Sequence, residues 1–107
     1  MKVEFDVEKA FPAFKGGEKQ YDARMFFDGT NRIMQGRLVP GASIGLHTHD
    51  DGCEVMFVTE GRGYVLYDGQ RIDLQAGDCH YCPKGHTHTL INDGDCDLKI
   101  LAVVAKQ

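Results

Sequence analysis

The sequence predicts an all-β fold, a small sandwich or barrel. Three observations carry this reading. Thirteen glycines are spread through 107 residues and break the chain into short apolar runs, with turn signals about every 8–12 residues. Asp68-Gly69 sits between two runs rich in strand-forming residues, a strong hairpin signal. No segment carries an apolar stripe of helical period.

The strands follow in order. Arg32–Val39 ends at Pro40-Gly41. Ser43–His49 alternates, with Ser43, Gly45, His47 and His49 expected on one face. Asp50-Asp51-Gly52 is a loop, and Glu54–Thr59 is a strand stopped by Glu60-Gly61-Arg62-Gly63. Parity puts Glu54, Met56 and Val58 on its inward face. Tyr64–Tyr67 and Arg71–Leu74 form the Asp68-Gly69 hairpin. Gln75–Asp78 turns, His80–Cys82 extends, and Pro83-Lys84-Gly85 turns again. Thr87–Ile91 and Leu98–Ala105 are separated by Asn92-Asp93-Gly94-Asp95, where the Asn92 side chain is expected to bond the backbone.

Two runs, Val55–Val58 and Ile100–Ala105, are apolar on both faces. A strand with one solvated face alternates, so both need cover on their second side. The N-terminal 1–30 segment, through Phe5, Val7, Phe11 and Phe14, or a second subunit can supply it. The expectation is a single domain over 1–107 that forms a homodimer.

Bulk properties narrow the partners. Net charge is −4 and no Lys/Arg cluster stands out, so nucleic acid and anionic membrane surfaces are poor candidates. No apolar run approaches the ~20 residues of a membrane-spanning helix, and residues 1–11 carry no secretory h-region. The chain therefore reads as cytoplasmic, with Cys53, Cys79, Cys82 and Cys96 as reduced thiols. Cys79 and Cys82 resemble a redox or zinc pair. On a strand, however, residues three apart face opposite ways at roughly 10 Å, beyond disulfide reach.

Two stretches have fixed spacings. Residues 41–61 contain Gly41, His47, His49, Glu54 and Gly61. Residues 77–92 contain Gly77, Pro83, Gly85, His88 and Asn92. These match, without a gap, the motifs G-x5-H-x-H-x3,4-E-x6-G and G-x5-P-x-G-x2-H-x3-N of the cupin superfamily. The chain most resembles small single-domain bacterial cupins related to oxalate decarboxylase. The resemblance implies a double-stranded β-helix, the cupin jelly-roll barrel, usually dimeric. It also implies that His47, His49, Glu54 and His88 bind one divalent transition metal per chain.

The residue types fit that implication. His47 and His49, two apart on a strand, present both rings on one face roughly 6.6 Å apart. Three imidazoles and a carboxylate suit Mn, Fe, Co, Ni, Cu or Zn. In octahedral geometry they leave two positions for water, substrate or O₂. Glu54 is thus both ligand and candidate catalytic group. His86, two residues before His88, is expected on the same side and is the candidate base or substrate donor. His80 is expected to be structural. Cys82 is a candidate for facing the cavity, and Tyr64, Tyr67 and Tyr81 for standing at its rim.

The expected ligand is a small metal-chelating organic acid or a sugar-like polyol. An enzyme would decarboxylate, dioxygenate, isomerise or act as a lyase. The alternative is a non-catalytic binding or sensor protein. Oxalate decarboxylases have an arginine shortly before the first ligand histidine, where this chain has Ile44; Arg37, one strand earlier, is the candidate replacement.

Overall fold

The computed structural model describes residues 1–107. Ten strands run β1 Lys9–Pro12, β2 Gln20–Phe27, β3 Arg32–Leu38, β4 Ser43–Thr48, β5 Gly52–Glu60, β6 Arg62–Tyr67, β7 Gln70–Gln75, β8 Cys79–Cys82, β9 Thr87–Ile91 and β10 Leu98–Lys106. One six-stranded sheet has the order β1-β2-β3-β10-β5-β8, and a four-stranded sheet has β4-β9-β6-β7. Every pairing is antiparallel. The two sheets face each other as a jelly roll, the all-β fold expected.

The core lies between the sheets. Met34 and Leu38 of β3, Met56 and Val58 of β5, and Leu98, Ile100 and Ala102 of β10 face Ile44, Val65, Leu74 and Leu90 of the other sheet. Each set alternates along its strand, so period 2 sends the large apolar groups inward. The Asp68-Gly69 hairpin forms with both residues at positive φ, 48° and 82°, the conformation that a two-residue turn needs to match strand twist. Asn92 is fully buried. Its Nδ2 donates to the carbonyls of Leu38 (2.8 Å) and Cys96 (2.9 Å), and its Oδ1 accepts from the Gly94 amide (2.9 Å). It ties the β9–β10 connection to β3 and leaves no buried polar atom unpaired.

The N-terminal region holds two strands absent from the sequence reading. β2 pairs along β3, and β1 along β2. A single turn, Phe14–Gly16, joins them. Phe14 stacks on the buried Tyr21 ring at 5.2 Å and meets Phe11 at 5.6 Å. This turn lies against β4 backbone to backbone. A Cβ on Gly45 would stand 2.0 Å from the Lys15 carbonyl, and one on Gly17 2.0 Å from that of Ser43. Two facing glycines are therefore what lets the turn dock on the barrel.

The phase of β4 differs from the simple alternation expected. Ile44 pairs with Leu90 and His47 with His88, so three steps on β4 match two on β9. This bulge reverses parity within β4. Ile44, a core residue, and His47 both point inward, and Ser43 does not share His47's face.

Phe11 and Phe14 pack at the core rather than over the outer face of β5 and β10. On that face Phe57 and Leu101, a cross-strand pair, are 47% and 36% exposed.

Candidate metal centre

Four side chains converge on the floor of a cavity between the sheets. His47 comes from β4, His49 from just beyond its end, Glu54 from β5 and His88 from β9. Glu54 and His88 are buried, while His47 and His49 are half-buried. His49 Nε2 lies 3.0 Å from Glu54 Oε1 and 3.0 Å from His88 Nε2. His88 Nε2 lies 3.0 Å from Glu54 Oε1 and 3.2 Å from His47 Nε2. One donor atom from each of the four falls within 4.8 Å of every other.

The donor set fits a divalent ion. His47 Nδ1 is 2.8 Å from the Gly45 carbonyl; a carbonyl only accepts, so the proton is on Nδ1 and Nε2 presents its lone pair. The His47 Nε2 lone pair faces His88 Nε2 at 3.2 Å, a contact that needs a proton or a cation between the two nitrogens. With metal–ligand bonds of about 2.1 Å, neighbouring donors stand about 3.0 Å apart around an octahedral ion and about 3.4 Å around a tetrahedral one. The observed 3.0–3.2 Å spacings follow the octahedral value. An octahedral ion held by these four donors would have two further positions for water or a ligand.

Electrostatics agree. In the metal-free protein burial raises the Glu54 carboxyl, but hydrogen bonds donated by His49 Nε2 and His88 Nε2 outweigh it and hold it at about 2; an ion would take the place of those protons. Burial lowers His47, partly opposed by the bond to Gly45. Both groups therefore favour the unprotonated form that a metal ligand needs.

Behind the four donors stands His80, buried, with its Nε2 3.0 Å from His88 Nδ1. Desolvation, then the neighbouring His88, lowers it to about 4. The sequence reading made it structural. Its strand parity with Cys82, which pairs with Glu54, was the available signal for its place next to the ligands. Cys82 is buried on the inward side, and desolvation followed by Glu54 raises its thiol to about 11. It is a neutral packing group, not a thiolate. All four cysteines are free.

Other expected site residues lie elsewhere. His86 Nδ1 is 2.6 Å from Asp68 Oδ2 and 3.1 Å from the Tyr67 hydroxyl, with the two rings stacked. It is absent from the cavity wall. Tyr67 packs between His86 and His80. Tyr81 is exposed, and Tyr64 carries Arg71 at 3.9 Å. Arg37 faces away from the cavity and pairs with Glu8 (3.3 Å), Asp22 (3.6 Å) and Asp97 (3.6 Å), so it cannot replace the arginine missing at Ile44. Two cations that the sequence reading passed over, Lys15 and Arg32, do line the cavity.

The cavity measures about 290 Å³, with Phe14, Met34, Ile44, Met56, Leu90 and Val104 as its apolar wall. It is at the small end of ligand pockets.

A jelly roll carrying three histidines and a glutamate in its barrel defines the class. This chain belongs to the cupin domain family Cupin_2, which matches residues 34–104. It is 35% identical over 68 residues to an oxalate-binding protein of Thermotoga maritima, covering 64% of this chain and 56% of that protein. It is 32% identical over 76 residues to an uncharacterized protein of Methanocaldococcus jannaschii, covering 70% of this chain and 61% of that one. Each match thus spans less than two thirds of the curated relative. The crystal structure of a predicted oxalate decarboxylase from Thermotoga maritima superposes with a TM-score of 0.92, at 25% identity over the whole of both chains. A sugar phosphate isomerase of the cupin superfamily from Silicibacter pomeroyi shares the fold, with a TM-score of 0.75 at 24% identity, covering 99% of this chain and 73% of that one.

Proposed function

We propose that the chain holds one divalent transition ion on His47, His49, Glu54 and His88 and acts on a small organic acid that chelates it. The convergence of four donors at octahedral spacing on the floor of a small cavity carries this reading. Supporting it are the relatives described as oxalate-binding and as a predicted oxalate decarboxylase. The bound ion would supply Lewis acidity, or redox chemistry if it is Mn, Fe or Cu. The chain's own groups hold the ligand lone pairs toward the cavity, exclude bulk water with the apolar wall, and set the ligand's orientation. On this reading the protein is an enzyme of decarboxylase, dioxygenase, isomerase or lyase type.

A second reading, a non-catalytic binding or sensor protein, is favoured by one observation: the His86 imidazole is turned to Asp68 and Tyr67, away from the cavity. We further propose a homodimer, supported by the apolar outer face of β5 and β10, and a cytoplasmic location, in keeping with four free thiols.

Inductively coupled plasma mass spectrometry of untagged wild type and of His47→Ala/His88→Ala tests the centre. About one transition ion per chain, lost in the double variant, is the expected result. A wild type that neither carries nor takes up Mn, Fe, Co, Ni, Cu or Zn refutes it. Turnover of a chelating acid that vanishes in the double variant selects the enzyme. Tight acid binding without turnover selects the binding protein.

A further inference from the structure

We propose that Arg32, assisted by Lys15, is a second carboxylate-binding point in the cavity, so that the site takes a dicarboxylate longer than oxalate with both of its charges engaged. The inference rests on the metal-centred reading and specifies its ligand.

Register places Arg32. Val104 of β10 pairs with Arg32 on one side and Glu54 on the other. The three form one row across the sheet, all on the inward face, as Arg32 shares parity with the buried Met34 and Leu38. Two interstrand steps separate Arg32 from Glu54, about 9.6 Å between backbones. Lys15 reaches the same cavity from the turn that Gly17 and Gly45 dock onto β4.

The Arg32 guanidinium is positioned but not neutralised. Its Nη1 donates to Met25 Sδ at 3.4 Å, and its carbon lies 4.6 Å from the centre of the Phe27 ring. These contacts fix the group without cancelling its charge. Arg37, Arg71 and Lys99 each have carboxylate partners, while Arg32 and Lys15 have none. A half-buried arginine that borders the cavity and has no carboxylate partner suits capture of a carboxylate. Asp50 and Asp51 also border the cavity but are exposed, where solvent screens their charge. Glu54 is offset by the ion it would hold.

Size points the same way. A cavity of about 290 Å³ corresponds to roughly ten water volumes, well above what a two-carbon diacid fills. Oxalate closes a chelate on an ion with both carboxylates and has no second charge left to extend. In a longer diacid one carboxylate stays at the ion while the other crosses past Val104 to Arg32.

Calorimetric titration of cobalt(II)-loaded protein with succinate, butyrate and oxalate tests this, in wild type, Arg32→Gln, Arg32→Lys and Lys15→Gln. Cobalt content and thermal midpoint are measured on each. Wild type is expected to bind succinate at least about tenfold more tightly than butyrate, the range of one charge-assisted pair. Arg32→Gln should remove that preference, leaving butyrate and oxalate affinities and cobalt content unchanged. Arg32→Lys should restore part of it, and Lys15→Gln should cost only a few-fold because the ammonium is exposed. Equal weakening of all three acids marks a general field effect and overturns the proposal, as does an Arg32→Gln variant that binds succinate like wild type. If wild type takes up none of Mn, Fe, Co, Ni, Cu or Zn, the same titration without metal separates the two ideas. Succinate binding lost in Arg32→Gln then retains the Arg32 site and refutes the metal centre; no succinate preference refutes both.

Discussion

His80 Nε2 stands 3.0 Å from His88 Nδ1, both residues buried. The pairing constrains tautomers. If His88 gives its Nε2 lone pair to an ion, its proton sits on Nδ1 and donates to His80 Nε2. His80 must then be neutral, with its own proton on Nδ1. The depressed His80, at about 4, supplies that state at neutral pH. This is an outer partner fixing the ring orientation and basicity of an inner ligand.

His80→Phe keeps an aromatic ring, somewhat larger than the imidazole, and removes the acceptor. It is expected to lower metal affinity by about 10–100-fold, read by competition with a coloured chelator. Nitrogen-15 long-range correlation spectra should show the His88 Nδ1–H form in wild type and a tautomer mixture in the variant. Unchanged affinity together with an unchanged His88 signature would overturn the assignment.

The metal-free protein should lose stability on mild acidification. His80 titrates at about 4 when folded and at about 6.5 when unfolded. Between those values the unfolded chain binds the extra proton, so stability falls as pH drops from 6.5 toward 4, by on the order of 3 kcal/mol for this group. Glu54, held at about 2, acts in a lower window: its contribution is intact above about 4.3 and lost as pH falls toward 2. Urea unfolding at pH 7, 6 and 5 checks the first window. A flat profile in wild type, or the same slope in His80→Phe, would contradict it.

Gly45→Ala is expected to cost about 1–3 kcal/mol, the range for overpacking, because the added Cβ would lie 2.0 Å from the Lys15 carbonyl. The loss is steric and falls on the contact between the Phe14–Gly16 turn and β4. Hydrogen exchange should show it as loosening of residues 13–18, with β5 and β10 protected as before. Faster exchange throughout the barrel instead would mean that the turn is not the element displaced.

Much of the barrel was legible in the chain because period 2 and turn chemistry are local. The eight strands from β3 to β10 are those expected, to within a few residues at their ends, and Asp68-Gly69 makes its hairpin. The four donors met because the motif spacing puts each at a strand end facing the same cavity. What the sequence withheld was long-range or out of phase. The β4 bulge shows no local mark, so Ser43 was read onto the wrong face. Residues 20–27 form a strand because β3 offers a free edge, which composition does not reveal. Arg32 looks like an ordinary strand start, and only the row Arg32–Val104–Glu54 shows what it faces. His86 follows the expected two-residue spacing, but the turn through Gly85 aims it at Asp68.

Phe57 and Leu101 face each other across β5 and β10 with outward exposures of 47% and 36%, flanked on the same face by Val55, Val103 and Tyr81. Adjacent exposed apolar groups on one sheet face are what a partner surface covers. A second copy of this face is the occupant proposed, because two-fold symmetry lets the same row meet itself. Sedimentation velocity of wild type is expected to give a dimer, and Leu101→Lys, which sets like charges opposed across the axis, should shift it to monomer. The substitution lies on the outer surface, so the barrel and its metal content should be retained. A wild type that sediments as a monomer at tens of micromolar, or a Leu101→Lys variant that stays dimeric, would place any association elsewhere on the barrel.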